Sequence, residues 1–298
     1  MRSSIKFISI SIILLLALSG CQVVKLFQPT STPIPPTQTP TSTSTPTETP
    51  IPTATSTPLP TFTPTPAVIT VEAYSDVEVP ILLYHHVTDT IQDSRYNIAP
   101  EKFEEQIKWL YDNGYQTINI TTLAILILEG GQLPLRPVII TFDDGNLDVY
   151  QNAFPILQKY DFIATFYIVD QYINGTDMIS IDQVKELAQA GWEIGSHSNT
   201  HVHLNAPNVD LQQEIRMAKM ETEEKLGVTI HSFAYPFGEI NDEVIAKTSR
   251  FGYSSAVGLG SSYTHNLSSI YYLSRIEIEN DFDMQKFISL LPWSGPIQ

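Results

Sequence analysis

Residues 138–145 read Val-Ile-Ile-Thr-Phe-Asp-Asp-Gly. Val138, Ile139 and Ile140 form a β-branched apolar run, the pattern of a strand buried on both faces of a parallel sheet. Asp143 and Asp144 follow without a spacer, and Gly145 closes the stretch. A buried strand ending in paired acids puts charge at its C-terminal edge, where α/β folds keep their sites. Asp-Asp-Gly also suits an ordinary turn.

Outward from this stretch, strand and helix patterns alternate. Residues 79–84 predict an apolar strand with His85 and His86 at its end. Phe103, Ile107 and Leu110 recur at helical spacing, opened by Pro100 and closed by Gly114. Helices are expected over 121–129 and around 150–160, and a strand over 163–169. Ser180 and Gln183 read as a capping box for a helix running to about Ala190. Residues 192–195 predict a strand ending at Ser196-His197. Residues 211–226 predict a long charged amphipathic helix stopped by Gly227. Strands over 232–235, 253–257 and 273–278 and helices over 242–249 and 282–291 complete the pattern. Strands alternating with helices predict a parallel sheet, and this many units predict closure into a (β/α) barrel over residues 77–292.

The front of the chain is different in kind. Arg2 and Lys6 precede an apolar run over residues 8–18, the layout of a signal peptide over residues 1–20. Leu18-Ser19-Gly20-Cys21 resembles the bacterial lipobox, which implies lipidation of Cys21, the single cysteine, as a new N-terminus over residues 21–27. A secretory signal with a stray cysteine gives the same tetrapeptide. Residues 28–66 hold 12 Pro, 15 Thr and 4 Ser, a composition too poor in apolar groups to build a core. As polyproline II at about 3.1 Å per residue, this disordered linker reaches on the order of 120 Å. The expected arrangement is a monomeric extracytoplasmic domain on a stalk, held to a bacterial membrane by lipid.

Charge narrows the partners. Arg2, Lys6, Lys25 and Glu48 are the only charged side chains before residue 67, so the rest carries 16 − 3 = 13 basic and 32 − 1 = 31 acidic residues, a net of −18. That argues against nucleic acid and against electrostatic binding to anionic lipid. A neutral or cationic polymer, such as an amino-sugar chain, is compatible. With no cysteine beyond Cys21, the folded part has neither disulfide nor thiolate metal site.

The strand ends carry His85 and His86, Asp143 and Asp144, His197, and Tyr235. In a parallel barrel these converge on one rim. His197 and His201 lie four apart, so a helical or turn-like backbone faces them the same way. Two histidines plus one carboxylate make a catalytic zinc set with a position left for water. The pair alone also suits a surface or capping role. His203 is read as a non-ligand, because its spacing from His201 suits neither face.

Three motifs, Thr-Phe-Asp-Asp-Gly at 141–145, Ser-His-Ser-Asn-Thr-His at 196–201 and Phe-Ala-Tyr-Pro-Phe-Gly at 233–238, resemble those of the polysaccharide deacetylases, the NodB-homology domain of carbohydrate esterase family four. The resemblance runs from about Val79 to Leu291. It implies a distorted (β/α) barrel that removes acetyl groups from sugar polymers with a divalent metal, usually Zn²⁺. It further implies Asp143 as general base, Asp144, His197 and His201 as metal ligands, and the backbone N–H of Phe237 as oxyanion donor. Tyr235 and Pro236, from the third motif, are expected to contact substrate.

Two departures stand out. The family's motif-three arginine is replaced here by Ala234, and no late histidine follows His265. Both departures resemble the branch acting on poly-β-1,6-N-acetylglucosamine and related surface polymers. Arg275, on the strand expected over 273–278, is the candidate to replace that arginine beside Asp143; a salt bridge with Glu277 or Glu279 suits it equally. For the proton donor, His85 is preferred because it follows an apolar strand as Asp143 does. His265, in a polar loop expected over 260–269 and able to fold over the site, is the runner-up. The leading expectation is a metal-dependent N-deacetylase acting on an N-acetylglucosamine polymer. The alternatives are a non-hydrolytic sugar-binding surface lipoprotein and a two-histidine, one-carboxylate iron oxygenase, which has no sequence support for its cosubstrate pocket.

Overall fold

The structure, a computed structural model, describes residues 68–90 and 94–295. The signal segment 1–20, Cys21 and the 28–66 linker lie outside the described residues. Seven parallel strands make the barrel wall: β1 (Ile81–Tyr84), β2 (Pro137–Phe142), β3 (Thr165–Ile168), β4 (Glu193–Ser196), β5 (Ser232–Ala234), β6 (Ser255–Val257) and β7 (Ile276–Glu277). Their order is β6-β5-β4-β3-β2-β1-β7, with Gln116–Thr117 added beside β2. The two ends of this sheet meet through the residues just before β7. The Leu273 N–H donates to the Ala256 carbonyl (2.8 Å), and Gly258 and Gly260 donate to Leu273 and Arg275 (both 2.9 Å). The same segment pairs Ile276 with Leu82 and Glu277 with Leu83 of β1. This is a distorted (β/α) barrel.

Period-two alternation sorts each strand into two cores. Val138, Ile140 and Phe142 of β2 join the layer under the helices, with Phe103, Ile107 and Leu110 of Pro100–Asp112. Ile139 instead joins Ile81, Tyr167, Ala234, Val257 and Leu273 in the barrel interior. Continuing the alternation aims Thr141 and Asp143 inward at the C-terminal mouth. Gly195 makes room in that interior, because a Cβ there would lie 2.3 Å from the Tyr167 ring. The ring in turn supports the Arg275 guanidinium, 5.5 Å from its centroid.

Helix signals translate locally. Pro100 opens the first helix, and Ser180 and Gln183 form the expected capping box on Ile181–Gln189. Asn119 caps Ile120–Glu129. The stretch expected as one helix over 211–226 is a π-turn, Gln212–Met217, followed by an α-helix, Ala218–Leu226, which ends at Gly227 with φ 70°. The final helix shortens to Met284–Ser289, and the strand expected over 273–278 narrows to β7.

Among the pairings not anticipated, two change the reading of the sequence. Val68–Val71 pairs antiparallel with Gly131–Pro134, so folded structure begins ahead of residue 77. Thr264–His265 pairs antiparallel with Val77–Glu78, just before β1. That pairing corrects the reading of 260–269 as a polar loop able to fold over the site. His265 is fully buried, its Nε2 3.0 Å from the Val79 carbonyl, at the opposite mouth of the barrel. Among the described residues no helix is long and apolar enough to cross a membrane.

Candidate active site

Register delivers the functional side chains. Tyr84 pairs with Phe142, so His85 and Asp143 leave the sheet side by side. Ser196 pairs with Phe233, so His197 emerges next to Ala234, and the two lie within hydrogen-bond distance, His197 Nδ1 to Ala234 O at 2.8 Å. With Nδ1–H donating to that carbonyl, the Nε2 lone pair faces the mouth, the tautomer a metal ligand requires.

An extended chain would turn Asp144 away from Asp143. Asp144 instead takes a left-handed backbone, φ 73°, followed by Gly145 at φ 87°. This conformation costs a β-carbon residue about 1 kcal/mol, and it returns the second carboxylate to the rim. Asp144 Oδ1 then lies 3.6 Å from His197 Nε2 and 3.3 Å from His201 Nε2. The histidine loop is equally bent, with Ser198 at φ 67° and His201 at φ 58°. The His201 N–H donates to Ser198 Oγ (2.9 Å).

Asp144, His197 and His201 each offer one ligand atom, all within 4.8 Å of one another. Tetrahedral zinc with bonds of about 2.1 Å separates its ligand atoms by about 3.4 Å. The two measured Asp–His separations bracket that length, so the residues fit a divalent ion. Burial, then the neighbouring His197, pushes His201 below the ordinary histidine value against the pull of Asp144 and Asp143. Its ring is thus held neutral and able to donate a lone pair.

Asp143 is handled differently. Its two oxygens take both arms of the Arg275 guanidinium, Nη1 to Oδ1 at 2.7 Å and Nη2 to Oδ2 at 2.8 Å. Both residues are buried. Burial alone would raise the Asp143 pKa; Arg275, helped by His197, overcomes it and holds the group at about 2. Asp143 Oδ2 lies 3.7 Å from His197 Nε2 and so borders the ligand trio. Glu277 and Glu279, the other partners considered for Arg275, are engaged by Arg95 at 3.1 and 3.2 Å.

The site opens into a cavity of about 270 Å³, walled by His85, Arg95 and Tyr96 on one side and Phe237 and Leu259 on the other. The His85 ring lies tilted on Tyr96, centroids 4.5 Å apart. Burial lowers its pKa most, while Asp143 and Asp144 pull upward. His86 diverges to Asp148, 2.7 Å away. His203 pairs with Glu239 at 2.9 Å, outside the trio. Arg95, Tyr96 and Leu259 were not singled out from sequence, and no spacing or motif marks them.

The third motif departs from expectation in part. Phe237 has φ 60° and is half exposed, its ring against His201 and stacked on His203. Tyr235 touches the cavity wall, yet its ring packs on Phe233 and Tyr272, and its hydroxyl donates to the Tyr271 carbonyl. Pro236 is buried and outside the cavity wall. Its fixed φ sets the turn rather than contacting substrate.

A family model described as polysaccharide deacetylase matches residues 130–256, which hold all three motifs. YxkH of Bacillus subtilis, named for the polysaccharide deacetylases, is 29% identical over 209 residues, covering 70% of this chain and 74% of its own. A poly-beta-1,6-N-acetyl-D-glucosamine N-deacetylase of Staphylococcus aureus is 27% identical over 201 residues, covering 62% and 69%. The crystal structure of a Bacillus cereus polysaccharide deacetylase superposes with TM-score 0.65 at 25% identity, covering 72% and 69%. With the motifs on one barrel rim and relatives sharing most of the folded part, this chain is similar in both sequence and fold to the polysaccharide deacetylases.

Proposed function

We propose that the protein is a metal-dependent hydrolase that removes N-acetyl groups from a surface or extracellular N-acetylglucosamine polymer. The observation that carries this reading is the pairing of a metal-fitting trio, Asp144, His197 and His201, with a carboxylate held ionised beside it by Arg275. Zn²⁺ is the proposed ion, since two imidazoles and a carboxylate are its usual catalytic donors. When bound, it supplies a Lewis acid that acidifies a water and polarises the acetamide carbonyl.

The chain's own residues do the rest. Asp143, ionised through the working pH range, accepts the proton that the attacking water gives up. Arg275 fixes the carboxylate rotamer and occupies one lone pair on each oxygen, leaving the second lone pair on Oδ2 toward the trio. The Phe237 N–H, in the turn Pro236–Gly238, is the proposed donor to the developing oxyanion. His85, on the opposite wall, is the proposed carrier of the proton to the departing amine, which cannot leave as an anion. The exposed Phe237 ring offers an apolar face to a sugar ring. The Arg275–Asp143 pair weighs against a non-hydrolytic reading, which drew on the missing motif-three arginine as well as on the missing late histidine.

The Staphylococcus aureus relative supports a β-1,6-linked substrate. The Cys21 lipobox and the Thr/Pro-rich linker support an extracytoplasmic, membrane-tethered location. Acetate release from β-1,6- and β-1,4-linked N-acetylglucosamine oligomers, with and without a chelator, tests the reading. Chelator-sensitive release that zinc restores is expected. Release that is indifferent to chelation, or none from any oligomer, would overturn it.

A further inference from the structure

We propose that Glu214 is a positioning residue that holds the loop between His197 and His201 in its metal-ready shape; this rests on the metal reading above. Glu214 lies in the π-turn Gln212–Met217, distant in sequence from all three motifs. It is buried, 7% exposed. Its carboxylate accepts from the Thr200 N–H (2.9 Å), the Thr200 hydroxyl (2.7 Å) and the Asn199 N–H (3.2 Å). Its backbone carbonyl shares the Asn199 N–H at 3.1 Å. The carboxylate bonds recorded for it therefore all end on the residues between the two imidazole ligands.

The loop needs such support. Ser198 and His201 both have left-handed backbones, and a strained backbone persists only where its surroundings over-determine it. On the far side, the Asp170 and Gln171 N–H groups donate to the Ser198 and Asn199 carbonyls, both at 3.1 Å. The loop's carbonyls are thus pinned from one element and its N–H groups from Glu214. A π-turn is a local irregularity of a kind that gathers at functional sites, and this one carries a side chain that gathers the Asn199 and Thr200 donors, while Ser198 Oγ takes the His201 N–H. Glutamine in its place keeps one oxygen for the two N–H groups but turns its amide onto the Thr200 hydroxyl and loses the charge that strengthens all three bonds. The loop would relax, and the ligand nitrogens would no longer be held at a common distance from Asp144.

The test uses the full chain, with Zn²⁺ affinity measured by competition against a chromophoric chelator. Thermal unfolding of the metal-free protein is measured in parallel. Glu214→Gln should weaken Zn²⁺ binding about 10–100-fold, the range for outer partners of metal ligands, with kcat recovering at saturating zinc. Thr200→Val, which deletes one of the bonds, should weaken it less and in the same direction. Glu193→Gln is the control. Glu193 opens β4 at the opposite end from His197 and binds Thr121 and Ser232, so its loss should lower thermal stability and leave Zn²⁺ affinity unchanged. Should Glu214→Gln fail to fold, Thr200→Val decides alone. Wild-type Zn²⁺ affinity in Glu214→Gln or Thr200→Val, with or without lower stability, would reduce Glu214 to a structural residue. No Zn²⁺ binding by the wild type would remove the metal reading and this inference together.

Discussion

Replacing Arg275 by methionine would strand a carboxylate inside the barrel mouth. Asp143 is 2% exposed, and its bidentate partner would be gone. The magnitude follows from two routes. Arg275 and its neighbours hold Asp143 at about 2 against an ordinary 3.8, and that displacement corresponds to roughly 2 kcal/mol of native-state stabilisation at neutral pH. Deleting one member of a buried ion pair costs about 3–5 kcal/mol in general. A loss of about 2–5 kcal/mol is therefore expected.

The pH dependence makes the prediction sharper. In the wild type the folded pKa lies below the unfolded value, so the stabilisation is fully present above pH 3.8 and is lost as pH falls toward 2. In Arg275→Met, burial acts unopposed by the guanidinium and lifts the carboxyl above its unfolded value. Its contribution reverses, and stability falls as pH rises through 3.8. Urea unfolding in chelator, from about pH 2 to about pH 7, should show the two curves diverging as pH rises. Asp143→Asn combined with Arg275→Met should recover much of the loss, because the amide carries no charge to strand. Parallel curves at every pH, or no recovery in the double variant, would refute the reasoning.

The remaining predictions separate roles within the site. Asp143→Asn should keep bound metal and lose about 10²–10⁴-fold in activity, as removal of a general base does; His201→Ala should lose both. Metal analysis beside acetate release distinguishes them, and loss of metal in Asp143→Asn would reverse the assignment of the two acids. His85→Ala should retain metal and lose most of kcat. His265→Ala should keep kcat while losing about 1–3 kcal/mol of stability with its bond to Val79. Burial holds His265 at about 4, below its unfolded 6.5, so its contribution is present above pH 6.5 and fades as pH falls toward 4. Cys21→Ala should release the protein from the membrane fraction or block its processing, followed by fractionation and N-terminal mass; unchanged fractionation with cleavage elsewhere would count against lipidation.

Much of the barrel was readable because its signals are local. The apolar run before Asp143, the 103-107-110 spacing and the Ser180–Gln183 box each express one element's own chemistry. The pairing of Val68–Val71 was not readable, since three of its four residues are exposed and its partner strand holds Gly131 and Pro134. His265 misled for a related reason. Its polar neighbours read as a loop, while a backbone pairing with Val77 buries it. In the site, Asp143, Asp144, His197 and His201 were legible as motifs, and Arg275 as a rare base on a late strand. Glu214 was not, because on a charged amphipathic helix a glutamate reads as a solvated face, and only the tertiary fold turns it onto the loop. Arg95 and Tyr96 share that obscurity, since the cavity wall they form exists only after β1 and β7 meet.

The segment that seals the barrel also supplies Arg275, and this sets a schedule for synthesis. Asp143 and its guanidinium partner stand 132 residues apart. At about 5–20 residues per second, roughly 7–26 s separate their appearance from the ribosome. Until Leu273–Glu277 emerges, the wall lacks its last stave and the acid lacks its counter-charge. The nascent chain is therefore without a finished catalytic centre until that segment appears, and a stop codon shortly before residue 273 would leave every recognisable motif intact on an inert polypeptide.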